Sequence, residues 1–585
     1  MLPHPRSHQL PPTDEQIKAI QQRGNFVVSA CPGSGKTYVV AARFADIARS
    51  WQNRHIGIAV ISFTNVAWQE IDERLRNEFE FHQGVNYPHY LGTIDSFINR
   101  HVFFPFGHRI MGCSNRPILI GPPANEYDPI NMNGWYWKYP ELAPYKYRDF
   151  HYNIDGKSVN SIRFNICQNP TLVAKVLSIK KSVNRAGYAT QSDANYISLT
   201  LLREYPEIVI SLANRYPILM VDEAQDTNEI QMAIIDLLLA RGAMNDVMLV
   251  GDPDQSIFAF NRAKPELFLL KADNWKERSI DFTGNRRSSQ KVCNFTSRLR
   301  LSREISNALD EDVKLYDYEP AIWGYTEATI AIRTKEFLDI CIARGITLSP
   351  DSIAVLSRSR GILQKCFGIP NEDNETQPWN DAYTRHFAKA RFLYDQGKFL
   401  EALNACERGF LKFFKSDVEL SELEKSTIVK ETSFAQWRQF LFELINELSN
   451  TNCSLGEWIK RSNDNFQSLT NLKNIEFSIK SGGKYAKYYR EMTFEHMFSE
   501  REVQTTLRDY LIATVHSVKG ETYEAVMLVL GKKGIGPNYI NLLKSKQLAH
   551  EELRIVYVGM TRPRKILVLC VPEEDKNDWE MFFRG

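Results

Sequence analysis

A glycine-rich segment near the N-terminus combines residue types that suit the binding of phosphate groups. The segment ACPGSGKT follows the apolar run NFVVSA and continues directly into the helical pattern KTYVVAARFADIA. Glycines let such a loop turn tightly and aim several backbone N–H groups at one anion beside a helix N-terminus. Lys36 would supply a positive charge for the phosphates, and the Thr37 hydroxyl would be a ligand for Mg²⁺. We predict that a nucleoside triphosphate is bound by Ala30, Cys31, Pro32, Gly33, Ser34, Gly35, Lys36 and Thr37.

Acidic and amide side chains follow two later apolar runs. Asp222 and Glu223 end the run PILMVDE, and Gln255 comes shortly after the run DVMLVGD. The aspartate would hold Mg²⁺, directly or through water, and the glutamate would orient and deprotonate the water that attacks the γ-phosphate. Gln255 is a neutral amide that could sense the γ-phosphate from a strand-to-loop corner. Adjacent acids after a strand are often only caps, so their combination with the upstream loop is what indicates triphosphate hydrolysis.

Short apolar runs rich in β-branched residues predict the strands that would position these side chains. Such runs are typical of buried parallel strands, whose carboxyl ends carry the active site. They fall into two groups, which indicates two α/β domains, each interrupted by an insertion. The first group is GIAVIS, PILMVDE and DVMLVGD, and the second is IAVLSRS, LIATVHS, AVMLVL and KILVLCV. We predict a first domain at 1–102 and 206–284 with an insertion at 103–205, and a second at 285–360 and 508–585 with a helical insertion at 361–507.

The composition is that of an ordinary globular protein. The 585 residues are too many for one core, and 72 basic against 70 acidic residues leave a net charge of +2, so any nucleic acid must be held in a local groove. The nine cysteines are scattered without a C-x-x-C pair, which disfavours a zinc or iron–sulfur site. The N-terminus lacks the apolar run of a signal peptide and no stretch approaches the length of a membrane span. We therefore expect a cytoplasmic protein with no membrane partner.

Taken in order, these segments resemble motifs I, II and III of UvrD/Rep-type superfamily 1 DNA helicases. The resemblance extends through most of the chain, since SFTNVAWQEIDERL resembles motif Ia, GTIDSF motif Ib, NRRS motif IV, TVHSVKGE motif V and EELRIVYVGMTRPR motif VI. Many short motifs in one order are far more specific than any of them singly. The resemblance implies two RecA-like domains with parallel sheets, each carrying a largely helical insertion, with ATP and Mg²⁺ bound between the domains.

The resemblance also assigns roles to individual residues. Gln16, in TDEQIKAI, lies where the family reads adenine, and Arg287 and Arg562 match the two arginines that reach the γ-phosphate from the second domain. The catalytic set implied in this way is Lys36, Asp222, Glu223, Gln255, Arg287 and Arg562. The implied contacts to single-stranded DNA are Phe63, Thr64, Asn65, Phe260 and His516, with the two phenylalanines stacking on bases.

The chain departs from the family pattern in three places. An arginine usually follows the loop threonine and a tyrosine usually precedes the motif IV arginine, whereas this chain has Tyr38 and Arg286 there. We hypothesise that the ring and the guanidinium have changed places and still enclose the base, because stacking is possible from either side. The glutamate of motif V, which binds ribose in the family, is shifted by one residue to Glu521, and the motif III pair of tryptophan and arginine is replaced by Phe260 and Asn261.

These features predict an ATP-dependent helicase or translocase that moves along single-stranded DNA, with 3′ to 5′ polarity implied by the resemblance alone. Strand separation is expected if the insertions meet a duplex junction. The alternative is a DNA-stimulated ATPase subunit that controls a separately encoded partner nuclease, because DEAQDTN and HSVKGET also resemble the GajB subunit of Gabija anti-phage systems. A P-loop kinase or transporter ATPase is disfavoured, because it would lack the second-domain motifs that contain Arg287 and Arg562.

Overall fold

The protein is built on two parallel β-sheets, each surrounded by helices and each interrupted in the sequence by an insertion. The computed structural model describes residues 11–120, 142, 147–161, 166–240, 244–302, 304–367, 378–414, 434–468, 475–482, 486–498, 509–533 and 538–584. The predicted α/β class with parallel sheets is confirmed. Within these ranges no helix is both long enough and apolar enough to cross a bilayer.

The first sheet has six parallel strands, and three of its neighbouring strands precede the predicted catalytic segments. Across the sheet the order is Ile280–Phe282, Phe26–Ala30, Asp246–Gly251, Ile218–Asp222, Ile58–Ser62 and Tyr90–Thr93. The last residues of parallel strands lie at one edge, so the segments that begin at Cys31, Glu223 and Asp252 come together there. The strands Ile58–Ser62, Ile218–Asp222 and Asp246–Gly251 are buried at every residue, which explains their continuous apolar sequences.

Helices cover the first sheet because each buries one apolar face. The helix Lys36–Arg49, for example, buries Val39, Val40 and Phe44 in the core beside the strands. Thr13 begins the helix Asp14–Gln21 with a capping box closed by Gln16, and so fixes the position of Gln16. The other helices of this domain are Asn65–Glu78, Ile94–Ile98, Phe104–Met111, Pro206–Arg215, Glu229–Ala240 and Pro265–Asn274, with a π-helical turn at Asn99–Phe103.

The first insertion contains two long helices and two small sheets. The helices are Pro170–Arg185 and Gln191–Glu204, and the two-stranded sheets pair Phe150–Tyr152 with Val159–Ser161 and Ile118–Leu119 with Tyr188–Ala189. A buried ion pair joins the helices, with Lys180 Nζ 2.7 Å from Asp193 Oδ1. Lys180 also donates to the carbonyl of Phe150 at 2.9 Å, and the Tyr147 hydroxyl donates to Asp193 at 3.0 Å. A buried polar network therefore joins the two helices to the small sheet inside the core of the insertion.

The second sheet has five parallel strands and supplies the other side of the site. Their order is Ala321–Tyr325, Pro563–Pro572, Tyr523–Val529, Ile353–Ser357 and Leu511–Thr514. Around it lie the helices Gln290–Thr296, Ile330–Ala343, Arg360–Phe367, Tyr539–Lys544, Glu551–Met560 and Lys576–Arg584. The second insertion is helical, with helices Ala382–Asp395, Phe399–Phe414, Phe434–Glu447, Leu455–Gln467, Ala486–Glu491 and Phe494–Phe498. Its core is aromatic and is centred on the buried Trp458, Phe466 and Phe477.

The chain crosses from the first sheet to the second through residues 283–289, which we call the crossing segment. Within it the backbone N–H of Arg286 donates to the carbonyl of Gly33 at 2.8 Å. Two residues later the Ser288 hydroxyl donates to the carbonyl of Pro563 at 2.7 Å. The crossing segment therefore contacts both domains within three residues, beside the glycine-rich loop.

Candidate active site between the two sheets

The glycine-rich loop connects the strand Phe26–Ala30 to the helix Lys36–Arg49, as predicted. Gly33 and Gly35 have positive φ angles of 69° and 77°, which L-residues with side chains rarely adopt. A Cβ atom on Gly33 would also lie 2.7 Å from Cβ of Arg287 and 2.8 Å from Oδ1 of Asn285. Gly33 is thus required both by its backbone angle and by the close approach of the crossing segment.

The predicted lysine and acidic pair come together beside this loop. Lys36 Nζ lies 3.4 Å from Glu223 Oε2, so the positive charge has an acidic partner before any phosphate is bound. Asp222 is 1% exposed, and its Oδ1 accepts the backbone N–H of Glu223 at 3.0 Å. Glu223 has a positive φ of 53°, which turns the chain sharply after the strand and aims its carboxylate at Lys36. The strand end therefore presents two acids with different surroundings.

The two acids have pKa values shifted in opposite directions. Burial and the neighbouring Glu223 carboxylate raise the pKa of Asp222 to about 7. Burial also acts on Glu223, but the charges of Lys36 and Lys519 outweigh it and lower the pKa of Glu223 to about 2. Glu223 is therefore held ionised by its cationic neighbours, whereas burial dominates at Asp222.

The residues present fit a Mg²⁺ ion. The Oδ2 atom of Asp222 is buried without a hydrogen-bond partner, and the next residue, Glu223, lines a cavity together with Thr37, although Asp222 itself does not. Hard oxygen donors of this kind, completed by phosphate oxygens and waters, are what Mg²⁺ prefers. In the described part of the chain, no group of three or more His, Cys, Asp or Glu side chains is arranged to hold a metal ion. Phosphate oxygens and waters would therefore have to complete the coordination of Mg²⁺.

Two arginines reach the site from the second domain. Arg562 directly follows the helix Glu551–Met560 and its C-cap Thr561, and its Nη2 donates to Oε1 of Gln255 at 3.0 Å. Arg287 lies in the crossing segment and donates to the carbonyls of Thr561 at 3.2 Å and Gly520 at 3.3 Å. The structure thus brings both arginines into the lining of the cavity that also contains Lys36.

The cavity carries a surplus of positive charge. Its volume is about 560 Å³, and its lining contains seven cationic and four acidic side chains. Burial and the facing Arg562 guanidinium lower the pKa of Arg287 to about 9, and burial lowers that of Arg562 to about 10. A buried Arg562 and a half-buried Arg287 that repel each other favour a polyanion between them. The cations are Lys36, Arg74, Arg286, Arg287, Lys519, Arg562 and Arg564, and the acids are Glu70, Glu223, Asp226 and Asp310.

Gln16, Tyr38 and Arg286 lie together around Gly35 of the glycine-rich loop. Arg286 Nη2 donates to Oε1 of Gln16 at 2.8 Å, and Nε2 of Gln16 donates to the carbonyl of Ser34 at 2.7 Å. Tyr38 lies in the same lining, with its ring centroid 5.7 Å from that of Phe79. Tyr38 and Arg286 are therefore both available to one bound base.

Glu521, the predicted ribose ligand, does not belong to the cavity lining, whereas its neighbours Gly520 and Thr522 do. Its side chain is exposed, and its charge acts on Arg287 from outside the lining. Cys31 is buried, and its thiol faces the carbonyl of Gly284 at 3.5 Å instead of the cavity.

Of the predicted DNA-contacting residues, Thr64 and His516 line the cavity, whereas Phe63 and Asn65 do not. Thr64 caps the helix Asn65–Glu78 by accepting the N–H of Ala67 at 3.3 Å, and Asn65 accepts from the Trp68 indole at 3.1 Å. His516 Nε2 is 3.3 Å from the carbonyl of Ile257. Burial, with help from Arg358, lowers the pKa of His516 to about 4, so the ring is neutral near pH 7.

Phe258 is the residue that the sequence motifs missed. Its ring centroid lies 5.3 Å from that of Phe63, and Lys519 Nζ lies 4.6 Å from the same centroid. Phe260, which was predicted instead, lies in the 3₁₀ turn Ala259–Asn261, and its side chain is outside the described part of the structure. The signal that could have found Phe258 is the pair of aromatics two residues apart in SIFAF.

Comparison with known proteins identifies the class to which this fold and site belong. The UvrD/REP helicase N-terminal domain family matches residues 12–108 and 162–276, and the UvrD-like helicase C-terminal domain family matches residues 385–574. Together the two matches cover more than half of the chain and parts of both sheets. The chain therefore belongs to the UvrD/Rep family of DNA helicases.

Individual relatives match the chain either along its length or in a short part. DNA helicase II of Haemophilus influenzae is 24% identical over 94% of this chain and 82% of its own length. ATP-dependent DNA helicase Rep of Buchnera aphidicola is 22% identical over 93% of this chain and 92% of its own. One subunit of the ATP-dependent helicase/nuclease of Natranaerobius thermophilus is 41% identical over 21% of this chain, and the match covers only 10% of that relative's length.

Proposed function

We propose that the protein is an ATP-dependent DNA translocase and helicase that moves along single-stranded DNA in the 3′ to 5′ direction. The observation that carries this proposal is the arrangement of the cavity, where Lys36 and Glu223 of the first domain face Arg287 and Arg562 of the second. A site built from two domains changes shape when its ligand is bound or cleaved. Family membership supports DNA as the track, and the polarity rests on the resemblance to the family.

In the proposed reaction Lys36 leaves Glu223 and binds the β- and γ-phosphates. Glu223, which the neighbouring lysines keep ionised, orients the attacking water and accepts its proton. Thr37 and Asp222 would hold Mg²⁺, which supplies charge neutralisation at the phosphates. Transition-state charge on the γ-phosphate would be met by Arg287 and Arg562, and such arginines typically contribute about 10³ to 10⁵ in rate.

DNA binding is proposed on the side of the cavity where Phe63 and Phe258 lie. Aromatic rings accept any base, because every base has a π-face, and each stacked ring contributes about 1 to 3 kcal/mol. His516 would contact the DNA backbone beside Phe258. Stacking of bases that alternately forms and breaks at these rings would convert each cycle of ATP hydrolysis into a step along the strand.

A strand-displacement assay tests this proposal directly. Duplexes with a 3′ tail, a 5′ tail or blunt ends are unwound in the presence of ATP, and ATPase rates are measured with single-stranded DNA, with RNA and without nucleic acid. We expect ATPase stimulation by single-stranded DNA and displacement from 3′ tails, both abolished in Lys36→Ala and Glu223→Gln. An ATPase that no nucleic acid stimulates would overturn the motor, and unwinding only from 5′ tails would overturn the polarity.

A second candidate is a DNA-stimulated ATPase subunit that regulates a partner nuclease. It is favoured by the similarity to relatives that are named as subunits of an ATP-dependent helicase/nuclease, each matched by this chain over a short part of its length. The same assay separates the two candidates. Strong DNA stimulation of ATPase without strand displacement from any tail favours the regulatory role, with GajB of anti-phage systems as the resemblance to pursue.

A further inference from the structure

One helix of the second domain contacts the Phe258 loop at several points along its length. We define this loop as residues 255–262, which follow the strand Asp246–Gly251 of the first sheet. Just beyond the C-terminal end of this helix, Glu551–Met560, Arg562 donates to the Gln255 side chain at 3.0 Å. Further along, Arg554 Nε donates to the carbonyl of Ser256 at 2.7 Å, and Glu551 Oε1 accepts the backbone N–H of Ala259 at 2.8 Å. The two backbone contacts enclose Phe258.

The side chains that make these contacts are firmly held in the second domain. Glu551 and Arg554 are three residues apart in the helix Glu551–Met560 and therefore share one face. Arg554 is 8% exposed and also donates to the carbonyl of Ala549 at 2.7 Å. The start of the helix is anchored by Glu552, which accepts two hydrogen bonds from Arg358 at 2.9 and 2.8 Å. Because Arg358 directly follows the strand Ile353–Ser357, we expect this helix and the second sheet to move together.

The other end of the Phe258 loop is held by the first domain and its insertion. Arg262, which has a positive φ of 64°, donates from Nη2 to the Ser192 hydroxyl at 3.0 Å. Two residues later the N–H of Lys264 donates to the carbonyl of Thr227 at 3.0 Å. Phe258 thus lies between an attachment to the second domain and an attachment to the first. Ser256 itself is held from both sides, because its hydroxyl also donates to the carbonyl of Gln225 in the first domain at 3.3 Å. Relative motion of the domains would therefore act on the contacts of this segment.

We propose that Glu551 and Arg554 are positioning residues that make the Phe258 ring follow the second domain, so that the nucleotide state of the cleft controls base stacking. This inference deepens the proposed function and rests on it. Neither residue lines the nucleotide cavity. Their effect is therefore confined to the coupling between ATP hydrolysis and DNA, and they take no part in cleavage of the γ-phosphate.

The contact of Glu551 offers a conservative variant that separates coupling from general stability. Glutamine keeps an oxygen that can accept the Ala259 N–H, whereas alanine removes it. Glu327, an exposed glutamate of the second domain, provides a matched glutamate-to-alanine control. Arg554→Lys tests the second contact, because lysine keeps the charge but cannot reproduce the guanidinium geometry.

The experiment measures ATPase with and without oligothymidylate, and the fluorescence of single-stranded DNA carrying 2-aminopurine, for the full chain. We expect Glu551→Ala to keep the DNA-free ATPase within about twofold, to lose about tenfold of the DNA stimulation, and to lose the nucleotide-dependent fluorescence change. Glu551→Gln and Glu327→Ala should behave like wild type, and Arg554→Lys should resemble Glu551→Ala.

Wild-type stimulation retained in Glu551→Ala would overturn the inference alone. The same holds if Glu551→Gln fails as badly as Glu551→Ala, or if the DNA-free and DNA-stimulated rates fall together. A wild-type ATPase that DNA does not stimulate would overturn the proposed function, and this inference with it.

Discussion

Tyr38 and Arg286 are the pair of residues that we propose to enclose the base of ATP in exchanged positions. In this chain the ring, Tyr38, comes from the helix after the glycine-rich loop, and the guanidinium, Arg286, comes from the crossing segment. Arg286 is fixed by its hydrogen bond to Gln16, which in turn is fixed by the capping box of Thr13. A planar cation held in this way is preorganised for stacking, because little side-chain entropy remains to be lost.

Substitution of Tyr38 tests this exchanged pair. We expect Tyr38→Ala to raise the KM for ATP about tenfold with a smaller change in kcat, since stacking contributes to binding in both the ground state and the transition state. Tyr38→Phe should keep the wild-type KM. The double variant Tyr38→Arg with Arg286→Tyr, which gives the order usual in the family, should recover part of the loss. An unchanged KM in steady-state kinetics of Tyr38→Ala would contradict the exchange.

Among the elements, the buried central strands could be predicted from sequence, whereas of the four edge strands of the two large sheets only Leu511–Thr514 was predicted. The runs that end at Ser62, Asp222 and Gly251 lie inside the first sheet, where burial on both faces demands continuous apolar residues. The missed strands Tyr90–Thr93, Ile280–Phe282 and Ala321–Tyr325 are the outermost strands of their sheets. Each of these three strands includes half-buried or exposed residues, so its sequence lacks a continuous apolar run, whereas Leu511–Thr514 is buried at its first three residues.

In the candidate site, too, some residues could be predicted from the sequence and others could not. Lys36, Glu223 and Arg562 belong to short motifs whose chemistry is visible in their residue types and spacing. The contacts of Phe258 and Glu551 depend on how two domains meet, and no spacing within one segment reveals such a meeting. Glu521 was placed by analogy with a shifted pattern, and a shift of one residue after a turn changes which side chain faces a cavity.

The helix pair of the first insertion supplies a test at the scale of elements. Replacing Lys180 by methionine leaves Asp193 as a buried charge without its partner, which costs about 3 to 5 kcal/mol. The double change Lys180→Met with Asp193→Asn should cost less, because no uncompensated charge remains. Hydrogen exchange of amides in the two helices would report the free energy of local unfolding. Equal losses in the single and double variants would contradict this account.

Across the whole molecule, neutral histidines that are buried or half-buried tie stability to pH. Burial lowers the pKa of His101 to about 4, of His151 to about 3 and of His516 to about 4. These residues lie in the first domain, its insertion and the second domain. Unfolded histidine has a pKa of about 6.5, so from there down to about 4 the unfolded state binds more protons. Their contribution to stability is complete above about pH 6.5 and is lost as the pH falls.

His101 offers the cleanest test of this pH dependence. Its ring packs on Phe97 and Tyr216, with centroids 4.9 and 5.2 Å away, and phenylalanine would keep that packing without titrating. The raised pKa values of Asp222 and Asp254 act in the opposite direction, so the measurement compares variants and not absolute slopes. We expect His101→Phe to lose less Tm than wild type between pH 7 and pH 5. Equal losses by calorimetry would contradict the prediction.

The crossing segment has a mechanical consequence. In the described structure it is the only covalent connection between the two sheets, and it passes beside the glycine-rich loop. If the two domains rotate about the crossing segment, atoms near the phosphates lie close to the axis of rotation and atoms of the insertions lie farther from it. Displacements grow in proportion to the distance from this axis. A small closure between the loop and Arg562 would therefore be accompanied by larger displacements of the atoms that lie farther from the crossing segment.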